Sequence, residues 1–131
     1  MYGKALIFAT KAHAGQKRNN GNNFIIHPIR VSQEVATERQ KVIALLHDVL
    51  EDTDVKPDEI MDEFGFDVYC AVDLLTHKKG ISYKEYINGM LGNKDAVAVK
   101  IADICDNLSD SPSDNAIEKS SKALEVLINK P

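Results

Sequence analysis

Val42-Ile43-Ala44-Leu45-Leu46-His47-Asp48-Val49-Leu50-Glu51-Asp52-Thr53 sets polar residues into a segment otherwise built to be buried. At about 100° per residue, Val42, Ile43, Leu45, Leu46, Val49 and Leu50 cover one broad side of a helix, and His47, Asp48, Glu51 and Asp52 share the remaining arc. His47 stacks over Glu51 and Asp48 over Asp52, so the spacing predicts two adjacent rows pointing the same way. A solvated acidic face is the ordinary meaning of such charges, but two features oppose it here. Carboxylates toward a helix C-terminus meet the negative end of the macrodipole, at about 0.3–1 kcal/mol each, and Asp48 opposes Asp52 as a like-charge pair. No Lys or Arg between residues 42 and 55 relieves them. A divalent cation from outside the chain would, and adjacent His and Asp are suitable ligands for one.

The remaining ligands must come from elsewhere in a chain of 131 residues, a length that suits one domain, residues 1–131, with a real core. Hydrophobic residues at 44% and charged residues at 27% describe an ordinary globular protein. A net charge of −4 argues against broad nucleic-acid binding, which needs a basic surface, and favours small-molecule chemistry. Ala5-Leu6-Ile7-Phe8-Ala9 is too short for a membrane span or signal core and is followed by Lys11, so a cytoplasmic location is expected, with no membrane partner. Cys70 and Cys105 sit in apolar, helix-like segments and are expected as buried free thiols.

Working outward, residues 2–14 read as a helix ended by Gly15, with His13 in a packing or capping role. Residues 16–23 form a polar turn. Its Lys17 and Arg18 are solvated loop charges or, if the loop borders the acidic site, holders of an anionic substrate, since a guanidinium also stacks on a base. Pro28 suits a first helical turn, which places His27 at the start of a helix and offers a second imidazole. Pro57 opens a helix over residues 57–64 stopped by Gly65, and residues 67–75 follow as core. His77 is expected to be an exposed loop residue. Ser82 and Glu85 predict a capping box at the start of a helix over residues 83–91, whose Tyr83 and Tyr86 are packing residues. Residues 96–108 form a largely buried helix interrupted by Lys100, Asp103, Asp106 and Asn107. A buried carboxylate needs a partner, so Asp103 must meet Lys100 or the cation. A final amphipathic helix spans residues 116–128, and with no strand alternation anywhere the fold class is all-α.

His27, His47, Asp48 and Asp103 together supply two imidazoles and two carboxylates, a mixed set that suits a six-coordinate ion such as Mn²⁺ better than a closed zinc site. In order, Lys17-Arg18, Gly21, His27-Pro28, His47-Asp48-x-x-Glu51-Asp52-Thr53 and Lys100-x-x-Asp103-x-x-x-Asn107 resemble the HD-type hydrolase domain of the Rel/Spo alarmone enzymes and stand-alone small alarmone hydrolases, over residues 2–110. The resemblance implies an all-α HD fold, Mn²⁺ held by His27, His47, Asp48 and Asp103, and Glu51 and Asp52 acting on the attacking water. It implies removal of the 3′-pyrophosphate from (p)ppGpp, giving GDP or GTP plus pyrophosphate. By position, Arg18 would stack on the guanine, Lys17 and the Asn20 loop would line the nucleotide, and Asn107 would contact its sugar or phosphates. Another nucleotide as substrate, or a catalytically weak nucleotide sensor, are the alternatives. Ile104 stands where the family commonly has Arg, Asp110 where it has a small hydroxyl residue, and Asn22-Asn23-Phe24 replaces the commoner charged-Pro-Tyr.

Overall fold

The structure, a computed structural model, describes residues 1–129. Its elements are α1 (Tyr2–Ala12), α2 (Ile26–Gln33), α3 (Glu38–Leu46), α4 (Val49–Asp52), α5 (Pro57–Phe64), α6 (Phe66–Leu74), α7 (Tyr83–Gly89), α8 (Lys94–Asn107) and α9 (Asp114–Asn129). No strand occurs among the described residues, so the all-α expectation holds, and no helix there is long and apolar enough to cross a membrane.

The hub is α3. Thr37 starts it with a reciprocal box: its hydroxyl accepts from the Gln40 amide while the Gln40 side chain accepts from the Thr37 amide. Val42 to Leu46 are each 2% exposed or less, because α1, α2, α6 and α8 all pack against this helix. The last five residues of α3 are therefore apolar all round, and each Leu or Ile so buried contributes about 1.5–3 kcal/mol. α5 packs on α6, and α9 closes over α7 and α8 with Ala123 and Leu127 inward.

The sequence pattern predicts one unbroken helix through His47 to Asp52. Instead α3 stops at Leu46, His47 and Asp48 make a turn, and α4 restarts for a single turn. Neither Gly nor Pro causes the break. His47 Nδ1 donates to the Ala44 carbonyl at 2.6 Å, and the His47 amide reaches the same oxygen at 3.4 Å, so a side chain competes for an acceptor of the helical ladder. The break has a chemical consequence. Neighbours on an unbroken helix diverge by about 100°, whereas here His47 Nε2 and Asp48 Oδ2 converge to 3.1 Å.

Other expectations need smaller adjustment. α1 ends two residues early, with His13 as its C-cap. α5 spans the expected residues, and Gly65 leaves it at φ 92°, a left-handed value that suits glycine. Ser82 Oγ accepts the Glu85 amide at 3.1 Å, the capping half of the expected box. The two thiols are a correction: Cys70 is only partly buried and Cys105 is exposed. The inward stripe of α8 runs through Ala96, Val99, Asp103 and Asp106, so carboxylates occupy positions that an apolar reading assigns to neighbours such as Cys105.

Candidate metal centre and active site

Three segments deliver the donor atoms. His27 comes from the first turn of α2, His47 and Asp48 from the turn between α3 and α4, and Asp103 from α8. One ligand atom of each lies within 4.8 Å of all the others. Asp103 Oδ1 is 2.8 Å from His27 Nε2 and 3.1 Å from His47 Nε2, and Asp48 Oδ2 is 3.6 Å from His27 Nε2. Both far ring nitrogens are engaged, His47 Nδ1 by the Ala44 carbonyl at 2.6 Å and His27 Nδ1 by Asp106 Oδ2 at 2.7 Å. A ring that donates from Nδ1 leaves the Nε2 lone pair for ligation. Two imidazole nitrogens and two carboxylates facing one point, with a cavity beside them, fit a divalent cation with positions left for water.

The electrostatics follow from burial and pairing. Burial alone would push Asp103 up, but Lys100, whose Nζ lies 2.9 Å from Oδ2, and then His47 hold its carboxyl well below the usual range. Asp103 thus meets Lys100, one of the two partners open to it from sequence, with one oxygen and faces the two imidazoles with the other. Burial likewise opposes the ionisation of Asp48, and His47 more than offsets it. Burial would lower His47 too, yet Asp48 and Asp103 raise it well above an ordinary imidazole. The stabilisation from that protonated ring is full below the unfolded value of about 6.5 and is lost as pH climbs through the raised folded value. A cation must displace this proton. Metal binding near neutral pH is therefore expected to release about one proton and to tighten with rising pH; calorimetry in buffers of different ionisation enthalpy measures it, and a heat independent of buffer would contradict it.

One turn beyond His47 and Asp48, Glu51 and Asp52 line a cavity of about 300 Å³ together with Asp48, Asp103 and Asn107. Glu51 Oε1 accepts the His77 amide at 2.8 Å. Asp52 is anchored through its backbone: Gln16 Nε2 donates to its carbonyl at 2.8 Å, and His13 Nδ1 donates to Gln16 Oε1 at 2.9 Å. Burial first, then Asp48 and Glu51, pushes the Asp52 carboxyl up to about 6.

His77 is a second correction. It is half-buried, lines the cavity, and stacks on Tyr86 with centroids 4.6 Å apart at 10°. Tyr86 packs as expected, donating to the Leu75 carbonyl at 2.7 Å, but Tyr83 and Tyr86 also wall the cavity. Lys100 Nζ lies 5.0 Å from the Tyr86 ring and Lys119 Nζ 4.0 Å from the Tyr83 ring. Spacing carried no signal for His77 or Lys119, since each reaches the site from a different element. His13 is buried against Phe24, with centroids 4.7 Å apart.

The candidate substrate residues divide. Asn107 reaches the cavity and donates to Asp103 Oδ1 at 3.2 Å. Arg18 lies behind it, its side chain 5% exposed, with Nη1 2.9 Å from Asp106 Oδ2 and Nε 3.2 Å from Asp110 Oδ2. The Asn20 amide donates to Asp110 Oδ1 at 3.0 Å, and Lys17 Nζ to Asn23 Oδ1 at 2.6 Å. Carboxylates at the end of α8 thus strap the 16–23 loop down, and Asp106 is the residue in this strap that sequence reasoning passed over. Burial would push Asp106 up, but His27 and then Arg18 and Arg30 bring it down.

The sequence model of the HD domain family matches residues 5–126. The chain is 42% identical over 91 residues to the guanosine-3′,5′-bis(diphosphate) 3′-pyrophosphohydrolase of Borreliella burgdorferi, covering 63% of this chain and 14% of that protein. It is 41% identical over 85 residues to the protein of the same name from Aquifex aeolicus, covering 62% and 12%. The chain therefore spans about one seventh of the length of these relatives. A solved structure described as a metazoan ortholog of SpoT that hydrolyzes ppGpp and plays a role in starvation responses superposes with a TM-score of 0.83 at 27% identity, covering 98% of this chain and 85% of that one. With the fold, the convergent His and Asp residues and these matches in agreement, the chain belongs to the HD domain family, in its Rel/Spo branch.

Proposed function

We propose that residues 1–131 form one Mn²⁺-dependent hydrolase domain that removes the 3′-pyrophosphate from (p)ppGpp, producing GDP or GTP and pyrophosphate in the cytoplasm. The observation that carries this reading is the placement of Glu51 and Asp52 in the same cavity as His27, Asp48 and Asp103, three of the four convergent donors that His47 completes; the relatives' names supply the substrate. A divalent cation held by those four residues supplies Lewis acidity, lowering the pKa of water and offsetting phosphate charge. The chain's own residues do the rest. Asp52, raised to about 6, is ionised at neutral pH yet basic enough to take a proton from the attacking water. Glu51, held by the His77 amide, orients that water. Lys100 and Lys119 at the cavity wall bring positive charge to a polyanionic substrate, and Asn107, backed by Arg18, meets the nucleoside.

The test is purified protein with Mn²⁺, Mg²⁺ or Zn²⁺ against ppGpp and a nucleotide panel, with products resolved by ion-exchange chromatography. Pyrophosphate and GDP formed from ppGpp, fastest with Mn²⁺, are the expected result. Turnover of other nucleotides but not ppGpp would replace the substrate, and binding without turnover would make the domain a sensor.

A further inference from the structure

Asp106 is a buried ionisable group that the proposed chemistry leaves without a task. Its side chain is 6% exposed, and its two oxygens serve three donors. Oδ2 lies 2.7 Å from His27 Nδ1 and 2.9 Å from Arg18 Nη1, while Oδ1 lies 2.7 Å from Arg30 Nε. It also stands between two spaces. His27, its hydrogen-bond partner, lines the cavity of Glu51 and Asp52, whereas Asp106 itself lines a separate groove of about 490 Å³ on another face of α8, beside Arg30 and Cys105.

We propose that Asp106 is a positioning residue for metal loading: its carboxylate holds the His27 ring by Nδ1 so that Nε2 presents its lone pair to the site shared with His47, Asp48 and Asp103. The proposal rests on the metal-site reading given above. A simpler role, clamping Arg18 and Arg30, does not account for the geometry at His27. The rings around that imidazole, Phe24 at 5.7 Å and His47 at 5.2 Å between centroids, both meet it edge to face. Such contacts fix the ring's plane but are indifferent to a half-turn of the ring about its Cβ–Cγ bond. Only a hydrogen bond distinguishes the two orientations, since a flipped ring sets carbon atoms against Asp106 and Asp103. An ionised carboxylate accepts and cannot donate, so the Asp106 contact requires the proton on Nδ1. It also makes the opposite nitrogen a stronger donor to a cation, an arrangement whose loss in metal sites ordinarily weakens binding about 10–100-fold.

The experiment titrates Mn²⁺ alone into wild-type protein, Asp106→Leu, which removes the acceptor at similar volume, Arg18→Gln and Arg30→Gln by calorimetry, with thermal melting in chelator to verify folding. Asp106→Leu is expected to weaken Mn²⁺ binding about 10–100-fold, while Arg18→Gln and Arg30→Gln stay within about threefold of wild type. Arg18→Gln reproducing the full loss would mean that Asp106 acts through the loop strap, and unchanged Mn²⁺ affinity in Asp106→Leu would reduce it to a clamp; either overturns the proposal. Should Asp106→Leu fail to fold, wild-type protein loaded with diamagnetic Zn²⁺ still decides: nitrogen-edited NMR is expected to show a protected proton on His27 Nδ1, and a proton on Nε2 instead would refute the assignment. Wild-type protein that binds none of these ions would refute it as well. Because no readout involves nucleotide, a protein that depends on Asp106 for Mn²⁺ but leaves ppGpp intact would fail the functional reading alone.

Discussion

Asp103→Ala is expected to abolish measurable Mn²⁺ binding and to cut turnover about 10³-fold or more, equivalent to losing roughly 4 kcal/mol of barrier reduction. It should also destabilise the fold by about 3–5 kcal/mol, because Asp103 has two jobs. Oδ1 faces both imidazoles, while Oδ2 is the ion-pair partner of Lys100, whose side chain is 11% exposed. Removing the carboxylate strands a buried ammonium as well as emptying a ligand position. Asp48 separates the two effects. Its side chain is 18% exposed and it pairs with the imidazoles but no Lys or Arg, so Asp48→Ala should match the loss of metal and activity while changing stability in chelator by only about 1 kcal/mol. Urea unfolding beside metal titration checks the pair. Equal destabilisation by the two variants would mean that Lys100 does not depend on Asp103.

The same division explains what could be read from the residues alone. His and Asp are costly to bury without partners, so an uncompensated His47-Asp48 pair in an apolar run, an Asp103 inside a buried helix and a His27 beside a helix-starting Pro28 each announce themselves. Their convergence within 4.8 Å is the physical outcome of that cost. The turn at His47 and Asp48 is not announced, because the 100° pattern of Leu45, Leu46, Val49 and Leu50 continues across it and no breaker residue marks it. Its cause is a side chain reaching back to the Ala44 carbonyl, which depends on a rotamer and leaves no periodic trace. Without that departure from local regularity, the side chains of His47 and Asp48 would point apart instead of converging to 3.1 Å.

His77, Cys105 and Asp106 were missed for a related reason. Each is judged in sequence by its neighbours along the chain, whereas its environment is set by elements distant in the chain. His77 is enclosed by Tyr86 and by Glu51. Asp106 is enclosed by His27, Arg18 and Arg30, and its inward position on α8 rotates Cys105 outward. An apolar stripe is a sound guide to the inside of α3, where Val42 to Leu46 are buried in the hydrophobic core, and a poor guide to α8, where the inside carries Asp103 and Asp106.

Glu51→Gln and Asp52→Asn are each expected to lower kcat by about 10²–10⁴-fold with Mn²⁺ affinity and KM nearly unchanged, the pattern of groups that act in the transition state. Their pH behaviour should differ. Asp52 is raised to about 6 by burial, then by Asp48 and Glu51, so the rate climbs as pH rises through that value. Glu51→Gln keeps an oxygen for the His77 amide but removes one of the charges that raise Asp52, and the acidic limb of its residual kcat/KM should move to lower pH. Asp52→Asn should lose that limb. The stability effect runs the opposite way: a carboxyl raised in the folded state costs stability as pH rises from the unfolded value of about 4 through about 6. Asp52→Asn should therefore melt no lower than wild type in chelator at pH 8, although it is nearly inactive. A limb that moves upward in Glu51→Gln, or a marked loss of stability in Asp52→Asn, would place the proton acceptor elsewhere in the cavity.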